Sequence, residues 1–235
     1  MLNLSQKLKR QTGITLIETM IGLALSMIVV TSMVSLMGNS LGSATRIIQM
    51  TQLSDELRNT MSMLTRDVRR ANYNANSYKC YANSDCGTDG IGLNIGEITV
   101  DGTDCLIFNL DRDQDGSTNS YRAGGFRLAD DGTGVGYIEM WVGDAAATPA
   151  CGDNFGAANW IALTDSRFVD ITTFFIDGSN SLTASLTEEG GGTLNQRTRR
   201  INVQIVGELI TDDTITRTME DTIKVRNDYI WKSGP

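Results

Sequence analysis

The chain contains no histidine. This excludes a Ser-His-Asp or Cys-His nucleophile system and any His-ligated zinc site. Proline is nearly absent as well. Pro149 and Pro235 are the only two, so the first 148 residues hold no hard helix breaker. Glycine is plentiful at 24, and with so little proline it points to a turn-rich β region rather than to disorder. Basic residues are the minority, 20 against 28 acids, and the net charge is −8. Three of them, Lys7, Lys9 and Arg10, fall in the first 13 residues, which carry no acid, so the remainder stands at −11. An acidic body argues against nucleic acid as the main partner, because phosphate binding needs clustered Lys and Arg. Arg66, Arg69 and Arg70 are too few to reverse that reading.

Cysteine is scarce and confined. Cys80, Cys86, Cys105 and Cys151 all lie beyond the first third of the chain, and none forms a CxxC pair. An even number in the segment that would be exported reads as two disulfides in an oxidising compartment. Four cysteines allow three pairings, and four buried thiols are the alternative. Cys80 with Cys86 closes a short loop, which leaves Cys105 with Cys151, and that pairing is preferred.

What the chain has instead is one long uncharged run. From Thr19 to Thr45 there is no charged residue. About 20 such residues suffice to cross a bilayer as a helix. A glutamate, Glu18, stands at its head. A carboxylate in a membrane span costs roughly 2.5 to 3.5 kcal/mol on insertion scales and is read as functional. A cleaved secretory signal, with Ala24-Leu25-Ser26 as the cleavage site, leaves Glu18 inside the apolar core and the run continuing past the cut. A plain signal anchor, with the basic residues holding the N-terminus in the cytoplasm, explains the topology and not the glutamate.

The stretch Thr12-Gly13-Ile14-Thr15-Leu16-Ile17-Glu18, followed by fourteen uncharged residues from Thr19 to Ser32, closely resembles the class III signal of type IV prepilins. The resemblance implies cleavage between Gly13 and Ile14 by a prepilin peptidase and N-methylation of Ile14, where most of the family has Phe. It also implies that Glu18 pairs with the N-terminal amine of a neighbouring subunit during assembly. Opposite charges at one membrane depth attract strongly, while each alone is costly. The bland alternative is that Glu18 snorkels to the headgroups.

Further along, Met50, Leu53, Leu57, Met61, Leu64, Val68 and Ala71 recur every three or four residues as an apolar stripe. The chain therefore reads as a leader over residues 1–13 and one helix over 14–74, membrane-spanning to about 41 and amphipathic after. A β-rich domain over 75–235 follows. Gly38 and Gly42 are weak points where that helix could bend, and position 35, near where many major pilins carry proline, is Ser. Strands are expected at Ile95–Val100, Cys105–Leu110, Val135–Val142, Phe168–Ile176 and Arg200–Leu209. Thr214–Arg226 reads as the last strand, in a hairpin with Arg200–Leu209 through Asp212-Asp213. The expected class is α+β, pilin-like, a long helix packed on an antiparallel sheet.

The segments LTRDVRRANY at 64–73, LIFNLDRDQDG at 106–116 and IKVRND at 223–228 are similar to the PilW type of minor pilins and to GspJ, the minor pseudopilin of type II secretion. Within the second, Asp111, Asp113, Asp115, Ser117 and Asn119 have the spacing of a calcium loop. The twelfth position is Arg122 rather than a bidentate glutamate, so a complete EF-hand is excluded; a loop ordered by structural Ca2+ and an empty polar turn both fit. The acid pairs Asp130-Asp131, Glu188-Glu189 and Asp212-Asp213 read as solvated turns rather than general acid–base pairs. No catalytic residue is assigned. Trp141, Trp160 and Trp231 with Tyr78, Tyr81 and Tyr121 read as core aromatics, with a carbohydrate- or peptide-binding surface as the alternative.

The expectation is a minor type IV pilin, not an enzyme. It sits in the bacterial inner membrane with its N-terminus cytoplasmic and then in the pilus at the cell surface, taking part in assembly initiation or the tip. The resemblance implies as partners the prepilin peptidase, other minor pilins, the major pilin and the inner-membrane assembly platform. The alternatives are a type II secretion pseudopilin and a membrane-anchored periplasmic calcium-binding receptor.

Overall fold

A computed structural model describes residues 13–73, 75, 98–111, 121–130, 132–143, 149–152, 159–187 and 192–233. Its helix α1 spans Leu16–Val68 and runs without interruption through Gly38 and Gly42. Eleven strands follow among the described residues: β1 Thr99–Asp101, β2 Cys105–Asp111, β3 Tyr121–Asp130, β4 Gly136–Trp141, β5 Trp160–Ala162, β6 Val169–Asp177, β7 Leu182–Thr187, β8 Thr193–Thr198, β9 Arg200–Leu209, β10 Asp212–Lys224 and β11 Tyr229–Ser233. They form three sheets, in the orders β1-β2-β3-β4-β5, β10-β9-β6 and β11-β8-β7. Every pairing is antiparallel. This is the expected α+β, pilin-like architecture.

The chain divides into two compact units, Met1–Gln49 and Met50–Pro235. In the second, the stripe on α1 does what its period demands. Leu53, Leu57, Leu64, Val68 and Ala71 are fully buried, and Met61 nearly so. They join one core with Val169 and Ile171 of β6, Ile201, Val203, Ile205 and Leu209 of β9, and Ile223 of β10. Strand β9 alternates buried and half-buried along most of its length, as Ile201, Val203 and Ile205 require. Gly207, in phase with them, lies under the helix. A Cβ there would come within 3.1 Å of Leu57 and within 3.3 Å of Val169 and Ile171, so the absent side chain is what lets helix and sheet approach. Strand β6 changes phase midway. Val169 and Ile171 face the core, then Phe174 and Ile176, because a bulge falls between Ile171 and Thr173.

The helix end draws together the three segments whose resemblance was noted. After Val68 the chain tightens, with Arg70 N–H and Ala71 N–H donating to the carbonyls three residues back, and Asn72 turns at φ 61°. The carbonyls of the last turn would otherwise lack partners. Arg226 N–H donates to Arg69 O (3.0 Å). Asn227 Nδ2 donates to Arg70 O (3.2 Å) and to Ala71 O (3.0 Å). Asn72 N–H is taken by Asn109 O of β2 at 2.9 Å. A helix is thus capped by side chain and backbone from more than 150 residues away. Asn227→Ala is expected to cost about 1 kcal/mol, the net worth of a typical hydrogen bond, and more if both carbonyls go unsatisfied. Urea unfolding would show it as a lower midpoint at unchanged slope.

Several expectations need correction. Helix α1 is shorter than residues 14–74, because the cap just described stops it at Val68. Among the described residues the first strand begins at Thr99; residues 95–97 of the expected Ile95–Val100 lie outside them. Strand β10 is not the last, since β11 follows and pairs with β8. The β9–β10 hairpin turns at Ile210-Thr211, while Asp212 already pairs with Leu209 and a bulge follows before Thr216. Strand β3 was hidden by its glycines. The Phe108 ring of β2 lies across Gly124, directly opposite it, and would stand 2.3 Å from a Cβ at that position. A Gly-Gly pair that reads as a turn is here a strand whose missing side chains are replaced by a neighbour's ring.

Candidate processing and assembly site

Gly13, Ile14 and Thr15 precede the helix, and all are exposed. A Cβ built on Gly13 would meet nothing within 4 Å. Thr15 is the cap residue. Its carbonyl accepts from Thr19 N–H at 3.2 Å and from Glu18 N–H at 3.0 Å. Glu18 is consequently the third helical residue, and Thr15-Leu16-Ile17-Glu18 has the Thr-x-x-Glu spacing of a capping box. A carboxylate in the first turn faces the unpaired N–H groups and the positive end of the helix dipole. The sequence reading of Glu18 did not use this position, although the spacing was there to be read.

Beyond Glu18 the next charge is Arg46, and the 27 residues between them extend about 40 Å at 1.5 Å per residue. That exceeds the roughly 30 Å hydrocarbon core of a bilayer. α1 is the one helix among the described residues long and apolar enough to cross a membrane. Its large side chains from Ile14 to Ile48 are exposed by half or more, including Leu16 at 77% and Leu36 at 73%. Four of the hydroxyls on this stretch do not need water. Ser26 donates to Leu23 O, Thr31 to Met27 O, Ser32 to Ile28 O and Thr45 to Leu41 O, at 2.7 to 3.0 Å. Satisfied within the helix, they lose little in hydrocarbon. Two features thus coincide, an exposed Gly-Ile junction and a membrane-length helix with a single carboxylate in its first turn.

The other residues singled out from sequence lie elsewhere. Cys105 and Cys151 are joined in a disulfide (S–S 2.00 Å) that ties the start of β2 to the segment before β5. Lys7, Lys9, Arg10, Cys80 and Cys86 fall outside the described residues, as do Asp113, Asp115, Ser117 and Asn119 of the acidic loop. Asp111 closes β2. Among the described residues, no three Asp, Glu, Cys or His side chains gather as metal ligands would. Asp130 behaves as a turn residue, its Oδ1 accepting from Gly132 and Gly134 N–H. Trp141 and Trp160 are buried and meet edge to face at 5.4 Å, as part of the interior. Tyr78 and Tyr81 are outside the described residues.

Residues 8–34 match the prokaryotic N-terminal methylation motif. Residues 46–225, well over half of the chain, match the family described as prepilin peptidase-dependent protein B. The chain belongs to that family. Neither a curated protein nor a solved structure matches it. Membership carries with it the processing partner, a prepilin peptidase, and a type IV pilin-like build, into which the exposed Gly13–Ile14 junction and the apolar α1 fit directly. The motif also covers Thr15 and Glu18, so the helix cap and the processing signal occupy the same residues.

Proposed function

We propose that this chain is a minor type IV pilin, a structural subunit rather than an enzyme, which joins an assembly-initiating complex or the pilus tip after cleavage and methylation. One observation carries the reading. Glu18 sits in the first turn of a membrane-length helix, one helical turn from the residue that cleavage at Gly13 would make the N-terminus. Cleavage creates an ammonium at Ile14, and a carboxylate at the same depth on a neighbouring subunit offers the partner that neither charge finds in lipid. The β-sheet domain is then carried outward on the helix. Before assembly the protein would be held in the inner membrane with Lys7, Lys9 and Arg10 on the cytoplasmic side.

Peptide mass spectrometry on sheared surface filaments and on inner membranes tests this. A peptide starting at N-methylated Ile14 is expected in the filaments. The same peptide in the membrane alone would assign the chain to a type II secretion pseudopilus. An uncleaved N-terminus in both fractions would overturn the filament reading.

A further inference from the structure

On an acidic chain, five arginines crowd one groove of about 570 Å3 between α1 and the edge strand β10. Arg58 and Arg66 reach it from α1, Arg69 and Arg70 from the turn that ends the helix, and Arg226 from just beyond β10. All five are exposed. Arg226 N–H donates to Arg69 O at 3.0 Å, which fixes the two segments side by side. The one acid in the lining, Asp221, already accepts from Thr65 Oγ1 at 3.0 Å. Arg66 touches Asp67 at 3.3 Å, largely in solvent. Among the described residues, the guanidinium groups of Arg58, Arg69, Arg70 and Arg226 make no ion pair.

Folding alone does not call for this cluster. Cations near a helix C-terminus complement its dipole, which accounts for Arg66, Arg69 and Arg70. It does not account for Arg58, nearly three turns before Val68, or for Arg226 on another segment. Arginines three and four residues apart also repel, a cost that an opposing set of carboxylates removes.

The lining narrows the partner. Arginine and methionine are enriched in protein interfaces and lysine is depleted. Here the arginines surround Met61 and Met219, and no lysine is present. Planar guanidinium groups suit bidentate capture of carboxylates. No aromatic side chain lines the groove, so a nucleic acid base would find nothing to stack on. Arg58 and Arg69 stand about 16 Å apart at 1.5 Å per residue, room for about three turns of a helix.

We infer that the groove receives an acidic segment of a different subunit, with carboxylates set around an apolar side chain that seats on Met61 and Met219. The inference rests on the minor-pilin reading, in which a subunit at the tip or in an initiating complex meets unlike chains.

Site-specific photo-crosslinking in cells that assemble filaments tests it. A benzoylphenylalanine is incorporated at Ser62, which is exposed and lies between Arg58 and Arg66 on the groove face. The full-length chain is irradiated in place, and the joined peptides are read by mass spectrometry. The expected product joins position 62 to another prepilin-type chain, within about one helical turn of a pair of Asp or Glu residues. Arg69→Glu with Arg226→Glu should lower its yield about fivefold or more, because reversal turns several weak attractions into repulsions. Changing the partner's carboxylates at the cross-link to lysine should restore it, which an unfolded chain could not do. A product of two copies of this chain, a partner peptide without acids, or a yield indifferent to charge would overturn the inference. So would a lipid or nucleic acid adduct in its place, or no adduct at all. The N-terminal peptide in the same digest separates the two readings. N-methylated Ile14 without the acidic product refutes only the groove contact, whereas an uncleaved N-terminus with that product refutes only the filament.

Discussion

Glu18→Ala is expected to leave cleavage at Gly13 intact and to lower recovery of the chain in sheared filaments about a hundredfold, because an amine left unpaired in lipid costs roughly 2.5 to 3.5 kcal/mol. The structure adds a complication that the experiment must resolve. Glu18 is also the third residue of the helix, at capping-box spacing from Thr15. Alanine removes both the charge and any side chain that could cap. Glutamine keeps a side chain that can serve the cap, since Gln is accepted at that position as readily as Glu. Glu18→Gln should therefore assemble as poorly as the alanine variant if the charge pair is what matters. Wild-type assembly of Glu18→Gln would show that the residue only starts the helix. Quantifying the Ile14 peptide in filament and membrane fractions of all three strains decides between them.

Arg127→Met is expected to destabilise the protein by about 3 to 5 kcal/mol, the penalty for stranding one member of a buried ion pair. Arg127 and Glu139 stand opposite each other on β3 and β4 and are 1% and 2% exposed. Two contacts join them, Nε to Oε2 at 2.8 Å and Nη2 to Oε2 at 2.7 Å. Two more hold the guanidinium. It lies 4.3 Å from the centre of the Trp160 ring, and Nη1 donates to Cys151 O at 3.4 Å. Cys105 is the cross-strand neighbour of Arg127 on β2, so disulfide and ion pair lie in one row across the sheet, and Trp160, two residues before the Ala162 that ends this row, packs its ring on the guanidinium. A unit of this size loses about 2 to 4 °C per kcal/mol, so thermal unfolding should fall by roughly 6 to 20 °C. The double variant Arg127→Met with Glu139→Leu should recover most of that loss, because no buried charge is then unpaired. A double variant as unstable as the single one would mean that packing around Trp160, not charge, is what Arg127 supplies.

The contrast with Arg167 and Asp165 shows why position decides. That pair is just as short, at 2.9 Å, but Arg167 is almost wholly exposed. Arg167 holds the Asp165 carboxyl below its usual range, yet solvent screening leaves such pairs worth little. Nothing in the residues around Arg127 distinguishes it in sequence from Arg167. Both are single arginines beside a Phe. Only the register of β3 between β2 and β4 puts one of them inside.

Whatever rests on local period was legible in the chain. The uncharged run, the glutamate at its head and the Gly-Ile junction are contiguous; hydropathy alone makes the run a membrane-length helix, and the resemblance to prepilins is what implies processing. The stripe from Leu53 to Ala71 needed only a 3.6-residue repeat, and the alternation of β9 only a two-residue one. Strands β3, β5, β7, β8 and β11 were not among the expected ones; in β3 a Gly-Gly pair interrupts the strand pattern.

By itself, then, the sequence determined that this is a helix-anchored, prepilin-type subunit with a β-rich body. Only the tertiary structure decided that Asn227 caps α1, that Arg127 is buried and paired, and that Arg226 joins Arg58 and Arg66 of α1, and Arg69 and Arg70 just beyond it, in one groove. Each of those depends on segments far apart in the chain meeting at one register. Local propensity has no term for such a meeting; it is decided by which pairings bury the whole apolar set at once.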